Sequence, residues 1–191
     1  MIEINGHTFE FFPKKYWHLA HPNSLLLHNA PLSKGFCFSI SFVNQMPNLE
    51  NAVSPYALRV MFDEKEGVWE HVRKNKFPDL PSRKGAFFLL DDIELANQLN
   101  ETWFKGEERH VLETYIRDGS NLHRADSRWL DCTTENWEEN ALRYWKGDMN
   151  ENAIPEVLVH GAVYFPGWDK PPFGMPIFPS LLVPMLSAFW R

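Results

Sequence analysis

The sequence predicts an α+β domain, on three observations. Ala86-Phe87-Phe88-Leu89-Leu90 and Val157-Leu158-Val159, continued by Ala162-Val163, are near-continuous apolar runs, the pattern of strands covered on both faces. Residues 54–76, 91–104 and 135–146 carry apolar side chains at helical spacing behind recognisable caps. The 191 residues hold no repeat or low-complexity segment and suffice for one domain with a substantial core.

The elements follow in order. Residues 8–12 predict a short strand ending at Pro13, and residues 15–20 a second one with His18 in its middle. Pro22, Asn29, Pro31 and Gly35 predict a short helix or turn and a loop over 22–35. Ser54, with Pro55 at the first helical position, opens a helix that runs to Lys76, with Gly67 as its weak point. Leu80 to Gly85 is a turn into the strand 86–90. Asp91 or Asp92 caps a helix whose inner face is Leu95, Ala96, Leu99 and Trp103. Residues 109–117 predict a strand, and His123-Arg124-Ala125-Asp126 a polar loop. Thr134 caps a helix from 135 to about 146 that stops at Gly147. The last strand, 154–165, has one carboxylate, Glu156, at its entrance.

Residues 166–191 differ in character. Six prolines alternate with large apolar side chains, too apolar for a solvated tail and too broken for a long helix. The division is therefore a domain over 1–165 and an extension over 166–191, which either packs on the domain or docks a partner. Two cysteines far apart, Cys37 and Cys132, make no disulfide framework and point to a reducing compartment. The N-terminus carries no secretory pattern, and no apolar run reaches the roughly 18 to 20 residues of a membrane span, so the expected location is the cytoplasm. A net charge of −6 excludes a wholly basic nucleic-acid footprint, although Arg73, Lys74, Lys76, Arg83 and Lys84 form a local basic cluster. His18, His21, His28 and Cys37 match no compact zinc spacing, so no metal is expected. The absence of a Gly-rich phosphate motif removes P-loop, kinase and Rossmann readings.

Three places in order carry the functional expectation: Tyr16-Trp17-His18-Leu19-Ala20, Pro81-Ser82-Arg83 before Phe87-Phe88-Leu89, and Pro155-Glu156-Val157-Leu158-Val159. In this layout, over residues 15–165, the sequence resembles the ADP-ribosyltransferase superfamily. It departs from the arginine-modifying members in having Ile154 where they have a first acid, and it lacks a Ser-Thr-Ser motif. The resemblance implies two small, mainly antiparallel sheets around an NAD cleft with flanking helices. It implies NAD as cosubstrate and a macromolecular acceptor, RNA or DNA or protein. Glu156 would be the catalytic carboxylate, stabilising an oxocarbenium-like state. His18 and Ser82 would hold ribose hydroxyls, Arg83 the pyrophosphate, and Tyr56 or Trp17 would stack on the nicotinamide ring. A toxin or anti-phage effector is the implied niche, with an antitoxin or chaperone as a further partner and no membrane. The alternatives are an NAD glycohydrolase on the same site and a non-enzymatic protein that binds through its C-terminal tail.

Overall fold

The computed structural model describes residues 2–4, 7–107 and 109–174. Its order is β1 (Ile2–Ile4), β2 (His7–Phe9), β3 (Phe11–Ala20), α1 (Leu25–Leu32), β4 (Phe36–Phe38), α2 (Ile40–Val43), α3 (Pro55–Arg59), α4 (Glu64–Lys76), β5 (Phe87–Leu89), α5 (Ile93–Trp103), β6 (His110–Arg117), β7 (Asn121–Asp126), α6 (Trp137–Lys146), β8 (Pro155–His160) and β9 (Ala162–Tyr164). Short 3₁₀ turns at Ser127–Leu130 and Thr134–Asn136 precede α6.

The fold is α+β, as expected. β1 and β2 form a hairpin. Two small antiparallel sheets follow, one ordered β3-β6-β9-β4 and the other β5-β8-β7. One bridge joins them: Trp17 and Leu90 exchange backbone hydrogen bonds of 2.9 and 2.8 Å.

β8 is covered on both faces. Val157 and Val159 face a core built with Leu89, Ile116, Val163 and Phe165, closed by Leu27 and Ala30 of α1. Leu158 faces a second core of Trp69 and Val72 from α4 and Ala141, Tyr144 and Trp145 from α6. Trp145 and Trp69 are locked by the indole N–H of Trp145 donating 2.8 Å to the Trp69 carbonyl. Each such large side chain stabilises the fold by about 1.5–3 kcal/mol on burial. Among the described residues, no helix is long and apolar enough to cross a membrane.

Several boundaries differ from expectation. The apolar run 154–165 is two strands on two sheets, because Gly161 (φ +140°) turns the chain where any Cβ would meet Ser120. β3 runs unbroken through Pro13, and the ladder shifts register between Phe11 and Lys15, where proline has no N–H to give. The helix opened by Ser54 ends at Arg59. A new helix starts at Asp63, whose carboxylate accepts from the Glu66 N–H at 3.2 Å, so the break lies before Gly67. His123-Arg124-Ala125-Asp126 belongs to β7; His123 and Ala125 point inward and Arg124 outward. The segment expected as a helix from 135 begins as a 3₁₀ turn and becomes α6 at Trp137, which stops at Gly147 as expected. Of the extension, Phe173 is buried in the first core and the Gly174 N–H donates to the Leu27 carbonyl; residues 175–191 lie outside the described residues.

Candidate functional site

Glu156 enters β8 on the face toward α4 and α6, two residues before Leu158, and is 6% exposed. Arg83 reaches it from the turn before β5, which is closed by the Ala86 N–H donating to the Ser82 carbonyl at 2.9 Å. The Arg83 side chain is also 6% exposed. Its Nη1 donates to Glu156 Oε1 and, at 2.7 Å, to the Tyr144 hydroxyl. Its Nε donates to both oxygens of Glu66 at 3.2 and 3.3 Å, and its Nη2 to the Tyr56 hydroxyl at 3.0 Å. Tyr144 donates its own proton to Glu156 Oε1 at 2.6 Å, and Tyr56 donates to Glu66 Oε1. The rings of Tyr56, Phe88 and Tyr144 pack around the guanidinium at 5.2–5.6 Å from its carbon.

This cluster is buried and rich in charge. Burial by itself would lower the Arg83 pKa. The Glu156 carboxylate, seconded by Tyr144, Glu66 and Tyr56, outweighs it and holds the guanidinium well above its ordinary value. Burial pushes both tyrosine hydroxyls up, against the pull of Arg83. Both phenols are therefore proton donors at neutral pH. Two carboxyl groups, Glu66 and Glu156, share the one guanidinium. The first turn of α4, which carries Glu66, offsets part of that excess. A site with this balance favours positive charge developing beside it.

The structure brings together Glu156, Arg83 and Tyr56, three of the residues read from sequence. Arg83, expected at a pyrophosphate, here holds Glu156 itself. Ser82 goes elsewhere: its hydroxyl donates to Glu70 at 2.9 Å, in a network with Arg73. His18 is not in the cluster either. Its Nδ1 lies 3.0 Å from the Phe88 carbonyl, with Phe87 and Phe165 edge-on to its ring. The bridge Trp17–Leu90 and the pair Leu89–Val157 put His18 in the row of Val157, one row from Glu156. Adjacent rows point to opposite faces, so the sheet separates His18 from Glu156. Trp17 packs with Leu90, Ala96 and Leu99 against α5.

The basic cluster is not a single surface. Arg73 donates to the carbonyls of Pro78 and Leu80 and to Glu70, and Arg83 is buried, which leaves lysines. His123 stacks on Trp145 at 5.4 Å and bonds the Tyr144 carbonyl; Asp126 accepts from the backbone N–H groups of Arg128, Asn150 and Ile154. Both serve the fold. Cys37 and Cys132 are free, and burial pushes the Cys37 thiol up to about 12, which makes it unreactive. Among the described residues, no group of His, Cys, Asp or Glu is arranged to hold a metal ion.

Glu66 and Tyr144 are absent from the sequence reading. Glu66 stands three residues before Trp69 on the buried stripe of α4, and a carboxylate in such a stripe signals a buried partner. Tyr144 sits beside Trp145 on the inner face of α6, where an aromatic reads as core.

Residues 39–166 match the family model described as protein of unknown function, DUF2441, and the chain belongs to this family. The matched span holds every member of the Arg83 cluster and leaves out β3 with His18. No curated protein matches the chain.

Proposed function

We propose that the chain is an NAD-dependent ADP-ribosyltransferase with Glu156 as its catalytic carboxylate. One observation carries the reading: Glu156, Arg83 and Tyr56, which the resemblance singles out separately, meet in one buried cluster with more carboxylates than cations. When the bond from ribose C1′ to the nicotinamide nitrogen breaks, its electron pair leaves on neutral nicotinamide and positive charge appears on the ribose. Glu156 stabilises that charge, and Arg83 and Tyr144, both hydrogen-bonded to its Oε1, keep the carboxylate aimed. The acceptor, a nucleic-acid base or a protein side chain, attacks C1′ and gives up its proton.

Glu156 is enclosed, so the substrate must gain entry. The cover is α3, in which no residue is buried. It is tied down by the Ser54 hydroxyl donating to the Lys84 carbonyl and by the Tyr56 hydroxyl on Glu66 and Arg83. In this reading Tyr56 lifts away with α3, and its freed ring is available to the cationic nicotinamide.

The test is nicotinamide release from NAD by purified protein. Glu156→Gln lowers it by ~10²–10³-fold, the cost of losing a group that stabilises developing charge. Equal release by the folded variant removes Glu156 from the chemistry. Release without transfer to any macromolecule indicates the glycohydrolase instead.

A further inference from the structure

A second polar chain lies on β8 at His160, four residues and ~13 Å along the strand from Glu156. Ser39 caps α2, and its hydroxyl oxygen accepts from the N–H groups of Phe42 at 3.3 Å and Gly161 at 3.0 Å. Its own proton is thereby directed to Ser41 Oγ, 3.2 Å away. Ser41 in turn donates to His160 Nδ1 at 2.9 Å. An accepting Nδ1 puts the imidazole proton on Nε2; the Gln45 amide nitrogen lies 3.4 Å from that atom, so this tautomer requires the carboxamide to turn and present its oxygen. The Phe42 ring, 5.8 Å from the imidazole, walls the other side.

Ser41 is held closely. Its N–H donates to the Gly85 carbonyl at 3.0 Å, and a Cβ on Gly85 would come within 2.8 Å of the Ser41 Cβ. Only glycine lets the 82–85 turn approach Ser41 this way. Ser41 lines a hollow of about 230 Å³ with Ala52, Val53 and Ala57 as apolar wall and Lys84 as the cation among its lining residues, and His160 lines a second hollow of about 220 Å³ with Phe42 and Ser120. At roughly 30 Å³ per water, the hollow beside Ser41 suits a short acyl chain. Burial lowers the His160 pKa, so the imidazole is neutral and able to accept a proton at neutral pH.

We propose that Ser41 and His160 are a nucleophile–base pair, with Gln45 orienting the base, that reacts with esters of short-chain carboxylic acids. Ser41 Oγ attacks the carbonyl carbon while its proton passes to His160 Nδ1. The carbon–oxygen bond to the leaving alcohol breaks, and the alkoxide takes the proton from His160. Water, deprotonated by His160, then attacks the acyl carbon; the bond to Ser41 Oγ breaks, His160 returns the proton to that oxygen, and the acid is released. This centre does not use Glu156 and is independent of the NAD reading.

The experiment treats the full chain with p-nitrophenyl acetate and p-nitrophenyl butyrate and maps the adduct by peptide mass spectrometry. The expected result is an acyl group on Ser41, ahead of every other serine. His160→Gln slows its formation by ~10²–10⁴-fold, the usual contribution of a positioned base. No acyl group on Ser41 of the wild-type chain, or an unchanged rate in folded His160→Gln, overturns the proposal. Mapping on the wild type keeps the test decisive even where a Ser41 variant does not fold.

Discussion

Arg83 and Glu156, 73 residues apart, form a direct ion pair inside the protein, and both partners are 6% exposed. The pair is not isolated, because Glu66 takes the Nε edge of the same guanidinium. Arg83 is therefore the hub: its removal strands two carboxylates, and the removal of either carboxylate still leaves it one.

That asymmetry predicts unequal stabilities. Arg83→Met leaves Glu66 and Glu156 buried without a cation and costs about 3–5 kcal/mol. Glu156→Gln keeps the Arg83–Glu66 pair and an amide oxygen for Tyr144, and costs about 1–2 kcal/mol. Urea denaturation at neutral pH measures both. A Glu156→Gln loss equal to that of Arg83→Met would mean that Glu66 does not share the guanidinium.

Tyr56→Phe keeps the ring against Phe88, whose centroid is 4.9 Å away, and removes the hydroxyl between Glu66 and Arg83. The expected loss is ~1.4 kcal/mol of local closing free energy, a roughly tenfold faster amide exchange over residues 55–60. Exchange over 157–159 in β8 stays unchanged. Uniform acceleration across both segments would show that α3 does not open by itself.

Burial lowers the pKa of His18, His123 and His160 from the ordinary 6.5. A lowered histidine pKa means that the unfolded chain binds the proton more readily. Stability is therefore full above about pH 6.5 and is lost as pH falls from there through the folded-state values. Each kcal/mol lost lowers Tm by ~2–4 °C in a chain of this size. Melting curves from pH 8 to 5 test this, and His18→Gln flattens the fall. A Tm that rises on acidification to pH 5.5 contradicts it.

Two glycines separate opposite effects. Gly67 in α4 has nothing within 4 Å of an added Cβ, so Gly67→Ala stabilises by about 0.5–1 kcal/mol. At Gly161, φ is +140° and the added Cβ would lie 3.0 Å from the Ser120 Cα, so Gly161→Ala destabilises by about 1–3 kcal/mol. Thermal denaturation of the two variants shows whether the β8–β9 junction is as constrained as the structure requires.

Most of the strands and helices were legible, because apolar runs and caps are local signals. Ser54, Asp92 and Gly147 mark boundaries where expected. The junction at Gly161 was not, because a strand that changes sheets has the same apolar composition on both sides of the turn. β7 was hidden because its outward residues are polar and its inward ones include His123 and Asp126, which are satisfied by partners distant in sequence. The site was half legible for the same reason. Glu156 and Arg83 stood out as polar residues beside apolar strands, while the destination of Ser82 and the sharing of Arg83 with Glu66 depend on α4, which packs only in three dimensions.

The central claim is that Glu156 promotes transfer of ADP-ribose from NAD. The direct measurement incubates the purified chain with NAD labelled in its adenylate and a bacterial lysate, with Glu156→Gln in parallel, and then digests the products separately with nuclease and with protease. The account predicts macromolecular label that disappears with Glu156→Gln, and the sensitive digestion identifies the acceptor. Folded wild-type protein that yields neither label nor free nicotinamide, or label that survives Glu156→Gln, contradicts it.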